Sequence, residues 1–166
     1  MSEVISTTPT FNNIKSLNFF KSVKSEVIQS ENNNKILNIS VQEKPTGEIS
    51  AGAGAGTSGQ TVSFGVRENN YLGTGVKLDT SLSVSDTGID GIFTVDNPNY
   101  KNSDKSLITS FEATKLDQMS KFGYKTNRTG FSIGTSFEQY DDVYFSPSFS
   151  NYFESLKTSS TASDAK

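Results

Sequence analysis

Along residues 47–156, apolar and polar residues alternate with a period of two, which is the pattern of β-strands with one apolar face. The clearest segment is Val76–Ser85, in which valine, leucine and one threonine alternate with lysine, aspartate and serine. The alternation recurs in Glu48–Gly56, Thr61–Arg67, Phe93–Val95, Leu107–Ala113, Phe131–Glu138 and Val143–Ser150. Turn-forming residues separate these segments, so the pattern predicts a mainly-β fold of about seven strands joined as an antiparallel meander.

The first 46 residues have a different pattern. Apolar residues at helical spacing predict a helix over Phe11–Phe20. Two strand-like runs follow, Val23–Gln29 and Lys35–Glu43, and the Asn-rich segment Ser30–Asn34 between them predicts a hairpin loop. A helix and a hairpin of this size bury too little surface to form a core of their own. We therefore expect residues 1–46 to be the last part of a longer domain.

The polar face of the predicted sheet distinguishes a membrane barrel from a soluble sandwich. It consists mainly of serine, threonine, glycine and single charges, whereas the apolar face is rich in phenylalanine, leucine and valine. Several segments reach the ~9–11 residues that cross a bilayer at a tilt, and no run approaches the roughly 20 apolar residues of a membrane helix. These features favour a partial transmembrane β-barrel. A soluble β-rich binding or adhesion module remains the alternative.

Two further expectations follow from the barrel interpretation. Tyrosines near the strand ends would form an interfacial girdle: Tyr71, Tyr100, Tyr124, Tyr140 and Tyr152. The two faces of the strands would contact different surroundings. Lipid-facing positions would be Val76, Leu78, Leu82, Val84, Phe131, Ile133 and Phe137, and lumen-facing positions Lys77, Asp79, Ser81, Ser132 and Glu138.

The composition excludes several kinds of chemistry. The chain has no Cys and no His, which excludes thiol nucleophiles, disulfides, Cys/His zinc sites and His-based catalytic triads. A net charge of −3 without a basic block argues against nucleic acid. Gly54, Gly56 and Gly59 match the G-x-G-x-x-G nucleotide motif. This motif requires a helix N-terminus to receive the phosphates, but Thr61–Arg67 has the alternating pattern of a strand. We expect no enzyme activity, cofactor, metal or nucleotide.

The candidate functional segment is the glycine-rich strand that begins the alternating region. Glycine weakens strand packing and lets another backbone approach closely, so this strand would leave a usable edge. The candidate edge residues are Glu48, Ile49, Ser50, Ala51, Gly52, Ala53, Gly54, Ala55 and Gly56. Pro45 and Gly47 lie just before them and are the candidate hinge.

Several segments of the sequence together resemble one junction in the BamA family of outer-membrane assembly proteins. The segments are NIKSLNFFKSV (Asn13–Val23), VQEKPTG (Val41–Gly47) and the glycine-rich strand. In that family the last periplasmic POTRA domain ends, and the β-barrel begins, at such a place. NNYLGTG (Asn69–Gly75) resembles the family's first long turn, and FTVDNPNY (Phe93–Tyr100) its fourth strand and the turn after it. The resemblance covers Phe11–Leu156.

The resemblance implies an organisation. Residues 1–46 would be the C-terminal part of a periplasmic POTRA domain, which has the order β-α-α-β-β in the family. Residues 47–156 would be the first seven or so of sixteen outer-membrane barrel strands, and residues 157–166 a loop or a disordered end.

The resemblance also implies a function, the insertion of β-barrel proteins into the bacterial outer membrane. The first barrel strand would be one side of a lateral seam that takes an incoming strand by β-augmentation. The implied partners are nascent outer-membrane β-barrel proteins, accessory assembly lipoproteins and outer-membrane lipid. A related polypeptide-translocating outer-membrane pore remains open as an alternative.

Overall fold

The structure is a computed structural model that describes residues 14–29, 35–56, 59–160 and 162. The chain divides into two compact units, Met1–Thr46 and Gly47–Lys166. None of the helices among the described residues is long and apolar enough to cross a membrane.

The first unit contains an antiparallel pair of strands, β1 (Phe20–Gln29) and β2 (Lys35–Glu43). The register pairs Val27 with Leu37, which places apolar residues of both strands on one face. Both predicted strands are confirmed, although β1 begins three residues before its predicted start at Val23. The predicted loop Ser30–Asn34 lies outside the described residues.

The predicted helix over Phe11–Phe20 is wrong at its C-terminal end. Residues 14–16 are helical, and residues 11–13 lie outside the described part of the chain. Asn18 then has a φ of 59° and donates its backbone N–H to Lys15 O at 3.1 Å. Asparagine tolerates this left-handed conformation, which ends a helix, and the aromatic Phe20 already belongs to β1.

The second unit is one antiparallel sheet. Its strands are β3 (Gly47–Gly56), β4 (Gly59–Tyr71), β5 (Val76–Ser85), β6 (Gly88–Asn97), β7 (Ser106–Gln118), β8 (Tyr124–Tyr140), β9 (Val143–Phe145) and β10 (Ser148–Thr158). Their order is β3-β4-β5-β6-β7-β8-β10, with the short β9 also paired to β8. A single helical turn, α1 (Met119–Phe122), joins β7 to β8. The predicted mainly-β meander is confirmed, and the sheet is open between β3 and β10.

The last predicted strand, Val143–Ser150, is divided in the structure into β9 and β10. Pro147 lacks the N–H that a ladder hydrogen bond needs, and its carbonyl still accepts a bond of 3.1 Å from Thr135 N. Phe145 lies opposite Phe137, and Ser148 lies opposite Gly134, so the register is the same on both sides of the break. The proline therefore interrupts the ladder without shifting it.

The C-terminal boundary also differs from the prediction. β10 continues to Thr158, so the first two residues of the predicted loop 157–166 are part of a strand. Their partners are Lys125 and Tyr124 of β8. Residues 161 and 163–166 lie outside the described residues.

The strand register gives the sheet two chemically different faces. On one, the apolar face, Phe93, Phe111 and Phe131 lie side by side on three neighbouring strands. On the other, the polar face, Thr94, Ser110 and Ser132 do so, and the two serine hydroxyls are 2.6 Å apart. No apolar side chain among the described residues is buried, and Phe111 is 55% exposed. The apolar face is thus uncovered within the described part of the chain.

Candidate functional site

β3 is an edge strand. It pairs with β4 along its whole length, from Gly47 opposite Glu68 to Gly56 opposite Gly59. All ten of its residues are exposed, and within the described part of the chain β4 is its only neighbour in the sheet. Its other edge therefore presents a row of backbone N–H and C=O groups for pairing. The predicted segment Glu48–Gly56 lies wholly within β3, and its role in binding a strand stays a prediction.

The apolar side of β3 carries small residues. Ile49 is the only large side chain there and is 73% exposed. The three alanines that follow lie opposite larger side chains of β4, in the pairs Ala51–Phe64, Ala53–Val62 and Ala55–Gln60. On this side, β4 supplies most of the side-chain surface and β3 supplies little.

The polar side of β3 has even less side-chain material. Gly52, Gly54 and Gly56 alternate there, opposite Ser63, Thr61 and a further glycine of β4. A Cβ atom added at Gly52 would lie 3.1 Å from Ser63 Oγ, whereas one added at Gly54 or Gly56 would meet no atom of the described residues within 4 Å. This stretch of β3, Gly52–Gly56, is a shallow trough on the polar face, which we call the glycine trough.

A row of charged residues crosses the sheet at the other end of β3. Glu48 lies opposite Arg67, and Arg67 lies opposite Asp79, whose Oδ2 is 2.7 Å from Arg67 Nε. Beside this row an open depression of about 140 Å³ extends over Gly65. A Cβ atom at Gly65 would come within 2.7 Å of Ser50 Oγ, so a side chain there would fill the depression.

The candidate hinge lies at the boundary between the two units. Gly47 is the first residue of β3, and a Cβ atom added to it would lie 2.9 Å from Glu68 Oε2. Pro45 precedes the strand and lacks the backbone N–H that pairing would need. This close contact is with the flexible end of the Glu68 side chain, so it does not by itself require a glycine at position 47, and a hinge role for both residues stays a prediction.

The three glycines of the nucleotide motif lie on two neighbouring strands. Gly54 and Gly56 lie in β3, and Thr61–Arg67 lies in β4 as the sequence predicted. A strand has no helix N-terminus to receive phosphates. Across residues 14–29, 35–56, 59–160 and 162, no group of three or more Asp or Glu side chains could hold a metal ion.

The structure also contains an arrangement that the sequence analysis missed. Tyr152 of β10 lies opposite Gly130 of β8 on the polar face, and its ring covers the position that a glycine Cβ would occupy. The guanidinium of Arg128 lies 4.0 Å from the centroid of the same ring. The expected girdle position for Tyr152 is therefore wrong. A glycine inside a strand pattern was the available signal, but the pairing register was needed to find its partner.

An open antiparallel meander with one apolar and one polar face is the arrangement of a segment of a β-barrel. Solved structures share this fold, since 39 chains match. One is BamA from Haemophilus ducreyi lacking POTRA domains 1–3, with a TM-score of 0.77 and 18% sequence identity over 92% of this chain. The match spans 30% of that BamA chain. No protein-family model and no curated protein sequence matches. The likeness is one of fold.

Proposed function

We propose that this chain is part of a bacterial outer-membrane protein that inserts β-barrel proteins into the outer membrane, with β3 as the edge that receives an incoming strand. The observation that carries the proposal is the exposed, glycine- and alanine-rich edge strand at one end of a BamA-like sheet. The reaction needs no bond chemistry and no cofactor. The proposed partners are nascent β-barrel proteins, accessory assembly lipoproteins and outer-membrane lipid.

The uncovered apolar face supports the outer-membrane location. Phe111 is 55% exposed and Val62 61%, on strands of 13 residues each. A contiguous apolar surface of this kind is stable in water only when something covers it, and lipid does so for barrel strands of ~9–11 residues or more. The unit Met1–Thr46 would then be the end of a POTRA domain in the periplasm.

The composition of β3 supports strand exchange. Its glycines and alanines bury little side-chain surface against β4, so the β3–β4 ladder depends mainly on backbone hydrogen bonds. Backbone hydrogen bonds on the free edge would be equally available to any extended segment, whatever its sequence. An insertion factor needs this property because its substrates differ in sequence.

The proposal is tested by disulfide crosslinking in cells that produce the protein from its own reading frame. Since the chain has no Cys, Ser50→Cys introduces a single thiol on β3. It should crosslink to a Cys in the C-terminal strand of a stalled β-barrel substrate. Ser63→Cys is the matched control, because Ser63 lies on the same polar face but on β4, between β3 and β5. Equal crosslinking at both positions, or none at Ser50→Cys, would contradict the proposal.

Two further outcomes identify the alternatives. Crosslinks to a translocating chain at Ser83→Cys, in the middle of the polar face, rather than at Ser50→Cys would favour a polypeptide-translocating pore. Size-exclusion chromatography of the chain with and without detergent tests the soluble module. A monodisperse monomer without detergent would contradict the membrane location.

A further inference from the structure

The glycine trough lies on the edge strand β3, whose only neighbour among the described strands is β4. At Gly54 the side chain across the ladder is that of Thr61, and no atom of residues 14–29, 35–56, 59–160 or 162 lies within 4 Å of an added Cβ. The neighbouring polar-face positions, Gly52 and Gly56, also lack side chains. A large side chain on a third strand beside β3 would therefore find free space over Gly54 and contact the backbone there.

The same sheet shows how such a glycine is covered. Gly130 of β8 lies opposite Tyr152 of β10, and the tyrosine ring lies over the glycine. An aromatic ring placed in this way restores the cross-strand packing that the glycine lacks. Arg128 stacks on the ring and has its Nε 3.5 Å from Glu112 Oε1, so the tyrosine also has a polar environment. Tyrosine suits this position because its ring packs while its hydroxyl reaches water.

We propose that β3 preferentially takes an extended segment with a tyrosine on its polar face directly opposite Gly54, an inference that rests on the proposed function. Gly54 is favoured over Gly52, since Ser63 Oγ already lies 3.1 Å from a Cβ at Gly52. It is favoured over Gly56, which is the last residue of the strand. The occupant would carry apolar residues at the alternate positions, opposite Ala53 and Ala55.

The test uses two synthetic ten-residue peptides with alternating apolar and polar residues, and the full chain in detergent micelles. The peptides differ only in one central polar-face residue, which is tyrosine in the first and serine in the second. Fluorescence anisotropy of labelled peptides should show the tyrosine peptide binding about fivefold more tightly, the upper end of what one cross-strand pair contributes. A Cys four residues C-terminal to the tyrosine should crosslink to Ser50→Cys, which reports the antiparallel register.

Two variants assign the preference to the trough. Gly54→Val fills the free space and should remove the difference between the peptides. Ser83→Val is the matched control, because Ser83 lies on the same polar face but on β5, between β4 and β6, and this variant should leave the ratio near fivefold. The ratio is the decisive quantity, since a general change in strand pairing affects both peptides equally.

The outcomes distinguish the preference for tyrosine from the strand-accepting role of β3. Equal binding of both peptides by the unsubstituted chain, or a preference that persists in Gly54→Val, would overturn the inference and leave β3 as a strand-accepting edge. Failure of both peptides to bind would overturn the proposed function, and the inference with it.

Discussion

Ala51 of β3 lies directly opposite Phe64 of β4 on the apolar face of the sheet. Phe64 is 48% exposed, since the alanine beside it covers little of the ring. The next rung along the apolar face pairs Ala53 with Val62, which is 61% exposed. Large apolar side chains therefore extend across the sheet as far as β4, and the edge strand β3 adds mainly alanines. Backbone hydrogen bonds provide most of the pairing between β3 and β4.

The first prediction concerns the two faces. Leu82→Arg places a charge on the apolar face and should lower the free energy of unfolding in a bilayer by roughly 2–4 kcal/mol. Ser81→Arg, one residue away on the polar face, should change it by less than about 1 kcal/mol. Denaturant unfolding in lipid vesicles measures both. Equal effects of the two substitutions would contradict a lipid-facing apolar surface.

The second prediction concerns the ion pair between Arg67 of β4 and Asp79 of β5. Arg67 Nε and Asp79 Oδ2 are 2.7 Å apart, but the side chains are 58% and 44% exposed. Solvent screening leaves such exposed pairs only weakly coupled. A double-mutant cycle with Arg67→Gln and Asp79→Asn should give a small coupling energy that decreases as salt is added. A large coupling energy that is independent of salt would show that the pair is shielded from water.

The third prediction concerns the tyrosine over Gly130. A Cβ atom at this position would collide with the Tyr152 ring and lie 2.7 Å from Asn151 O, so Gly130→Ala should destabilise the sheet by about 1–3 kcal/mol. Gly91→Ala is the matched control on the apolar face, where the nearest atom would be Leu82 Cδ1 at 3.8 Å. This variant should be neutral or stabilising by up to about 1 kcal/mol. Thermal unfolding of both variants measures the two changes in stability. Equal stability of the two variants would show that Tyr152 moves aside without cost.

Much of the sheet was predictable because alternation with a period of two depends only on which face each residue occupies. Val76–Ser85 was predicted with its observed bounds, and β2 in the first unit likewise. Local exceptions were harder to predict. Pro147 interrupts a segment whose side chains alternate correctly on both sides of it, and Asn18 ends a helix whose apolar spacing continues to Phe20.

The candidate edge could be found in the sequence because six successive glycines and alanines, Ala51–Gly56, are unusual in a strand. The open space at Gly54 and the ring over Gly130 could not be found in the sequence. Both depend on which residue of the neighbouring strand lies opposite, and alternation fixes the face of a residue but not its partner. The girdle expectation for Tyr152 failed for a different reason, because alternation with Ser148 and Ser150 already places this tyrosine on the polar face, where it lies opposite Gly130.

The last prediction concerns the strength of the proposed seam. Gly52→Val combined with Gly54→Val, and separately Ala53→Val combined with Ala55→Val, should each raise the β propensity of β3. The first pair requires Ser63 to shift slightly, because its Oγ lies 3.1 Å from a Cβ at Gly52. A gain of about 1 kcal/mol in strand pairing would slow substrate insertion roughly fivefold if β3 must release one partner to accept another. Insertion of a radiolabelled barrel substrate into proteoliposomes gives the rate.

Ser83→Val provides the control, because it raises β propensity on β5, which has a strand on each side. This variant should insert substrates at the unsubstituted rate. Equal slowing by Ser83→Val would mean that general rigidity of the sheet, rather than the edge, limits insertion. If both pairs of substitutions on β3 leave the rate unchanged while the sheet stays folded, β3 does not exchange partners during the reaction, and the seam must lie at another edge.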